Sequence, residues 1–131
     1  MKEETKKWLD YADENLQSAS LLMENKLFNP CLQNVQQAVE KMLKAILIES
    51  SIKLKKTHSI NELVRILADN GLKINITEDE CDLLDSIYLP SKYPLESVLP
   101  HFEPDKQICK KCMGTAERVR NSITDILSRD V

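Results

Sequence analysis

The sequence is poor in glycine, proline and aromatic residues. Its 131 residues include 2 glycines and 5 prolines, and aromatic side chains make up 5% of the chain. A chain of average composition would carry about nine glycines at this length. The shortage counts against folds that are rich in tight turns, and against the glycine-rich phosphate loops of Rossmann and P-loop proteins.

Long apolar runs are also missing. No stretch approaches the roughly 20 consecutive apolar residues that a membrane span needs. The first residues, MKEETKKW, are charged and lack the apolar centre of a secretory signal. Hydrophobic residues still make up 42% of the chain and the net charge is −3, a composition that excludes a disordered chain. We therefore expect one domain over residues 1–131, in the cytoplasm and away from membranes.

The four cysteines do not predict a disulfide framework, because we expect a reducing compartment. Cys109 and Cys112 form one C-x-x-C pair. A structural zinc site usually needs a second such pair at motif spacing, and a redox motif would lie near a βαβ pattern. We interpret the pair as core and flank of a helix, and we expect no metal and no cofactor.

Apolar residues recur at helical spacing in the first half of the chain. Trp8, Ala12, Leu16, Ala19 and Met23 predict a helix over residues 3–24 with Trp8 in its core stripe. A second helix is predicted from Asn29 as N-cap and Pro30 as first residue to about residue 50. Its apolar face is formed by Leu32, Val35, Val39, Met42, Leu43, Ile46 and Leu47.

Three further helices are predicted from capping signals. Ser59 with Glu62, and Thr77 with Glu80, are spaced as capping boxes and open helices over about 60–70 and 78–88. Gly71 stands where a left-handed residue ends a helix. Three prolines in residues 89–103 predict a loop, after which Pro104 opens a last helix to about residue 129. The predicted fold is all-α: an antiparallel four-helix up-and-down bundle with an additional short helix.

The second helix also carries a polar stripe, formed by Gln33, Gln37, Glu40 and Lys44 at steps of four, three and four residues. Glu40 and Lys44 are spaced for an i,i+4 ion pair. Such a stripe is either a solvent-exposed face or a surface that forms hydrogen bonds to a polar partner or to a second subunit. The residues alone leave both interpretations open.

His58 follows a basic connector that contains Lys53, Lys55 and Lys56. An imidazole at this position can contact RNA, position a phosphate or cap a helix, and it can equally be structural or simply exposed. Because acidic side chains outnumber basic ones, 21 to 18, electrostatic binding to duplex nucleic acid is disfavoured, whereas one local phosphate contact is not.

Three segments together resemble the HEPN domain family. Residues 36–45, QQAVEKMLKA, are similar to the family pattern QQAxEKxLKA, and residues 56–63, KTHSINEL, are similar to KTHxLxxL. Residues 91–94, SKYP, are similar to xRYP, with Lys92 in place of the arginine. Lys92 keeps the positive charge but loses the planar fork of an arginine. The likeness covers essentially the whole chain.

The resemblance implies a helical bundle that commonly dimerises and an association with nucleotides or RNA. Small members are often the partner of a minimal nucleotidyltransferase in a toxin–antitoxin-like pair. Many members are metal-independent ribonucleases with an R-x4-6-H motif. Here Arg65, Arg118, Arg120 and Arg129 all lie after His58, and His101 is too far beyond Arg65. We therefore do not expect an enzyme.

Three hypotheses follow from these residues. The first is a non-enzymatic homodimer that binds a nucleotide or RNA phosphate, or that pairs with a nucleotidyltransferase. Its candidate contact residues are Gln37, Lys41, Lys44, His58, Lys92 and Tyr93. The second is a ribonuclease with His58 as general acid or base. The third is a purely structural dimerisation module whose polar stripe is the interface.

Overall fold

The computed structural model describes residues 1–54, 56–92 and 103–129, the side chains of residues 89–92 excepted. It contains five helices: α1 (Glu3–Glu24), α2 (Phe28–Glu49), α3 (Ile60–Asp69), α4 (Glu78–Lys92) and α5 (Lys106–Ser128). The predicted all-α bundle is confirmed, with α3 as its short additional helix. None of the helices in the described ranges is long and apolar enough to cross a membrane.

The centre of the bundle is α2, which packs against all four other helices. Its predicted apolar face is buried, and the core continues into α1, α3, α4 and α5 through Ala12, Ala19, Ile60, Leu63, Leu67, Leu84, Val119 and Ile123. Burying this much apolar surface is the main favourable contribution to folding. A helix surrounded on most sides is the one best placed to hold polar residues away from bulk water.

The first two helices form an antiparallel hairpin that is fastened at its open end. The Lys2 backbone N–H donates to Glu49 Oε1 at 3.0 Å, and its ammonium donates to Ile48 O at 2.8 Å and Ser51 Oγ at 2.6 Å. The Thr5 hydroxyl donates to the same Glu49 oxygen at 2.9 Å. These bonds align the start of α1 with the end of α2.

The predicted N-caps Ser59 and Thr77 are both confirmed, and the Ser59 backbone N–H donates to Thr57 Oγ1 at 3.1 Å. Ser59 Oγ accepts the backbone N–H of Glu62 at 3.2 Å. Thr77 and Glu80 bond each other reciprocally, at 2.9 Å and 3.1 Å. Gly71 ends α3 with φ of +79°, the left-handed conformation that favours glycine.

Three predicted helix boundaries are wrong. The second helix begins at Phe28 with Leu27 as its N-cap, so Asn29 is not the N-cap and Pro30 is the third residue. The fourth helix continues to Lys92 through Pro90, because a proline removes one helical hydrogen bond without necessarily ending the helix. The fifth begins at Lys106, after Pro104, because the Asp105 side chain accepts the Ile108 N–H at 2.8 Å and caps it.

Trp8 is a further difference from the sequence prediction, because it lies half-buried at the surface of α1 rather than within the core. Thr5, three residues earlier, is fully buried instead. The predicted proline-rich loop falls mostly in residues 93–102, which are outside the described residues.

Candidate functional site

Glu40 and Lys44 form a buried ion pair on α2. The Lys44 ammonium donates to Glu40 Oε2 at 2.9 Å, and each residue is 8% exposed. Gln36, one turn earlier, donates its side-chain amide to Glu40 Oε1 at 3.3 Å. A buried charge is tolerated when it is paired and hydrogen-bonded, and Glu40 meets both conditions. This part of the polar stripe is therefore inside the protein and is not a solvated face.

His58 reaches the same carboxylate from the segment before α3. Its Nδ1 lies 3.2 Å from Glu40 Oε1 and 3.3 Å from Oε2. In the neutral ring, an Nδ1–H that donates to the carboxylate makes Nε2 the acceptor nitrogen. The side chain is 57% exposed. The imidazole is therefore oriented from inside the protein and presented to solvent, which is an arrangement suited to contact with a ligand.

Tyr88 of α4 stacks on the imidazole of His58. The ring centroids are 4.8 Å apart and the ring planes are inclined by 19°. Both rings, with Ser59 and Asp85, line a cleft of about 320 Å³. Ring stacking of this kind fixes the imidazole in a second direction, so His58 is held through its Nδ1 and through its face.

Asp85 closes the site by capping α3. Its carboxylate accepts the backbone N–H groups of Ile60 and Asn61 at 2.6 Å and 3.3 Å. It also accepts the Ser59 hydroxyl at 3.1 Å and the Asn61 side-chain amide at 2.9 Å. A carboxylate has about four lone-pair positions. These four donors satisfy the lone pairs of Asp85, while the carboxylate keeps its negative charge at the cleft that it lines.

The other predicted site residues on α2 lie apart from His58. Lys41 donates to Asn15 Oδ1 at 2.7 Å and lies 5.8 Å from the ring centroid of Tyr11, on the side that faces α1. Gln37 is exposed. The structure thus brings Lys44 and His58 together through Glu40, and it places Lys41 beside α1.

Lys92 and Tyr93 stand at the limit of the described residues. Lys92 is the last residue of α4, one helical turn beyond Tyr88, and its side chain is not described. Tyr93 lies outside the described residues altogether. Of the basic connector, Lys53 and Lys56 are exposed, and both precede His58 closely along the chain.

Two arginines of α5 are engaged elsewhere in the bundle. Arg118 pairs with Glu80, and Arg120 pairs with Asp13. Burial of the Glu80 carboxyl raises its pKa, but hydrogen bonds from Arg118, Thr77 and Thr115 outweigh burial and hold the pKa at about 2. These two guanidinium groups therefore stabilise the packing of α5 and do not belong to the His58 cleft.

All four cysteines are buried as free thiols. Burial is the main cause that raises the pKa of Cys109 to about 12 and the pKa values of Cys81 and Cys112 to about 11. Cys112 is 1% exposed and Cys109 is fully buried, so the C-x-x-C pair belongs to the core. Within the described ranges, no group of three His, Cys, Asp or Glu residues is arranged to hold a metal ion.

Three residues of this site were not among the predicted site residues: Glu40, Tyr88 and Asp85. The spacing of Glu40 and Lys44 was visible in the sequence, but the depth of the pair depends on how α3 and α4 pack over α2. Neither Tyr88 nor Asp85 carries a local signal, because Tyr88 meets His58, and Asp85 meets the neighbouring Ser59, only through tertiary packing.

Comparison with known proteins gives a consistent result. A family model described as HEPN domain matches residues 5–126. The crystal structure of ST0689, an archaeal HEPN homologue, is 25% identical, with a TM-score of 0.72 over 95% of this chain and 98% of that chain. The crystal structure of TT1696 from Thermus thermophilus is 21% identical, with a TM-score of 0.75 over the same shares, and it supports the fold alone. No curated protein matches the chain.

Proposed function

This chain belongs to the HEPN domain family, and we propose that it is a binding module that holds a nucleotide, or the phosphate of an RNA, at the His58 cleft. The observation that carries the proposal is the His58–Tyr88 stack, because its imidazole is fixed by the buried Glu40 while the ring itself stays 57% exposed. A nucleobase can stack beside such rings, and a protonated Nε2 can donate to a phosphate oxygen.

The charges around the cleft support binding of one anionic group. Glu40 is paired with Lys44, and the four donors to Asp85 satisfy that carboxylate. The Glu40 charge is therefore offset by Lys44, and the Asp85 charge is offset in part by the positive end of the α3 dipole. Lys56 is exposed two residues before His58 along the chain, so this segment carries a positive charge close to His58 in sequence.

Calorimetry and NMR titration with ATP, AMP and inorganic phosphate test this function. We expect His58→Ala and Tyr88→Ala to weaken nucleotide binding about tenfold or more, which corresponds to about 1.4 kcal/mol. Lys92→Ala tests whether the lysine in the last turn of α4 contributes to nucleotide binding. Lys73→Ala, an exposed lysine between α3 and α4, is the matched control and should leave the affinity unchanged. Absence of heat and of chemical-shift changes at millimolar nucleotide would refute the proposal.

We further propose that the chain acts in the cytoplasm as a homodimer and pairs with a minimal nucleotidyltransferase in a toxin–antitoxin-like system. Membership of the family supports the pairing, and the four free thiols fit a reducing compartment. Sedimentation at tens of micromolar tests the dimer, which a clean monomer would contradict. Co-purification with the product of the neighbouring reading frame tests the partner.

The Glu40–His58 hydrogen bond also favours a second candidate function, a ribonuclease. A carboxylate on Nδ1 orients an imidazole for proton transfer at Nε2. The chain lacks the R-x4-6-H spacing, and Arg118 and Arg120 are paired with Glu80 and Asp13. RNA cleavage by the wild type that disappears in His58→Ala would replace the binding module with this enzyme, whereas cleavage that persists would exclude His58.

A further inference from the structure

A second group of aromatic and basic side chains joins α1 to α2. We call Trp8, Tyr11, Lys41 and Lys44 the aromatic–lysine patch. The Lys44 ammonium lies 5.9 Å from the Trp8 ring centroid, and the Lys41 ammonium lies 5.8 Å from that of Tyr11. These distances are within the range of cation–π attraction. The patch therefore holds two rings and two ammonium groups in fixed register across two helices.

The rings of the patch are accessible from solvent, whereas Lys44 is 8% exposed. Tyr11 is 54% exposed and Trp8 is half-buried. Both rings, with Glu4 and Lys7, line a recess of about 160 Å³ on α1. Lys7 is exposed at the edge of this recess and stands one residue from Trp8. A flat aromatic group can enter beside the rings, with the Lys7 ammonium and the Glu4 carboxylate both at the recess.

Lys44 connects the patch to the His58 cleft. Its ammonium faces the Trp8 ring and also bonds Glu40 Oε2 at 2.9 Å. Glu40 in turn holds His58, and His58 stacks on Tyr88. One unbroken series of contacts thus runs from α1 across α2 to the segment before α3 and to α4. Lys44 and Glu40 are the two residues that connect the aromatic–lysine patch with the His58 cleft.

We propose that the aromatic–lysine patch is a second base-binding site and that the ligand of this surface is a single-stranded oligonucleotide that spans both ring pairs. The inference rests on the proposed function, because the His58 cleft supplies the first site. Base stacking on rings with lysines beside them is the chemistry by which single strands are bound without sequence preference. A duplex would need a wider basic footprint than a chain of net charge −3 provides.

Trp8 is the single tryptophan of the chain, so its fluorescence reports on the patch directly. The probes are uridine monophosphate and a single-stranded pentauridylate. We expect the pentanucleotide to bind at least about tenfold more tightly and to quench Trp8 emission, whereas the mononucleotide leaves the emission unchanged. Calorimetry on the same samples gives both affinities independently of the fluorophore.

Variants separate the two sites. Tyr11→Ala should abolish most of the pentanucleotide advantage and leave mononucleotide affinity unchanged, whereas Tyr88→Ala should weaken both ligands. Because Tyr11 is exposed, circular dichroism should confirm that its variant is folded. Equal affinity for the two probes, unchanged pentanucleotide affinity in Tyr11→Ala, or equal binding of a duplex would overturn the second site while leaving the first. Failure of both probes to bind would instead overturn the proposed function together with this inference.

Discussion

Asp85 of α4 accepts the backbone N–H of Ile60, the first residue of α3, at 2.6 Å. An N-terminal amide of a helix has no acceptor within its own helix. Here a side chain of another helix supplies one, and the same carboxylate accepts the Ser59 hydroxyl next to His58. The position of His58 over Glu40 therefore depends on how α4 packs beside the start of α3.

Asp85→Ala should destabilise the protein by about 1–2 kcal/mol, which is the usual cost of losing a side-chain cap. It should also weaken nucleotide binding, because the segment that carries His58 is no longer held. Urea unfolding and calorimetry measure the two effects. Asp82→Ala is the control, since the exposed Asp82 carboxylate bonds the side-chain amide of Asn61. Equal effects of the two substitutions would contradict the role given to Asp85.

Glu40→Ala should cost about 3 kcal/mol of unfolding free energy, because it leaves the Lys44 ammonium buried without its carboxylate. Removing the ammonium as well, in Glu40→Ala with Lys44→Met, should recover much of that loss. A double-mutant cycle in urea measures the coupling between the two residues. Additive effects of the two substitutions would show that the pair does not stabilise the fold. Glu24→Ala, at an exposed site, serves as the control.

Lowering the pH should remove the stabilising contribution of the Glu80–Arg118 contact. The pKa of Glu80 is held at about 2, below its ordinary value of 4.5, so its stabilising contribution is complete above about pH 4.5 and is lost as the pH falls towards 2. Glu80→Gln should be less stable at pH 7 by about 1–2 kcal/mol, and the difference should shrink below pH 4. Thermal unfolding from pH 2.5 to 7 tests this. A constant difference would contradict it.

Replacing the two glycines by alanine, one at a time, should change the stability of the protein in opposite directions. An added Cβ meets nothing within 4 Å at either position. At Gly71 the left-handed backbone makes alanine strained, and we expect a loss of about 1 kcal/mol. At Gly114, inside α5, alanine should stabilise the helix by about 0.5–1 kcal/mol. Thermal unfolding of both variants measures the signs. Destabilisation at Gly114 would indicate a close contact that the single chain does not contain.

The thiols should be unreactive in the folded protein. Burial raises the pKa of each cysteine and also blocks access of a reagent. We expect no alkylation by iodoacetamide at pH 8 and modification of all 4 cysteines in urea, as mass spectrometry would show. Rapid labelling of Cys109 or Cys112 in the native state would contradict their place in the core.

Local signals predicted most of the fold. The periodic apolar face of α2, the caps at Ser59 and Thr77, and the end of α3 at Gly71 each depend on a few neighbouring residues. The start of α2 at Phe28 and the passage of α4 through Pro90 were not predicted, since the local preferences of Asn29 and of the proline pointed to other boundaries.

The candidate site was predictable only in part. The i,i+4 pair of Glu40 and Lys44 and the resemblance around His58 both pointed to it. Tyr88 and Asp85 lie 30 and 27 positions beyond His58 along the chain, and no periodicity links them to it. Their contribution arises when α4 packs beside α3. Lys41 shares a helix with Glu40 but faces α1, which the stripe alone could not show.

The bonds from Lys2 to the end of α2 have a consequence for local opening. A first helical turn ordinarily frays, and its amides exchange with solvent long before the protein unfolds. Here the Lys2 side chain and backbone are tied to residues 46 to 49 positions away. Detachment of residue 2 therefore also breaks its bonds to the end of α2. We expect the start of α1 and the end of α2 to open together, so that amide exchange at the start of α1 reports on the stability of the end of α2.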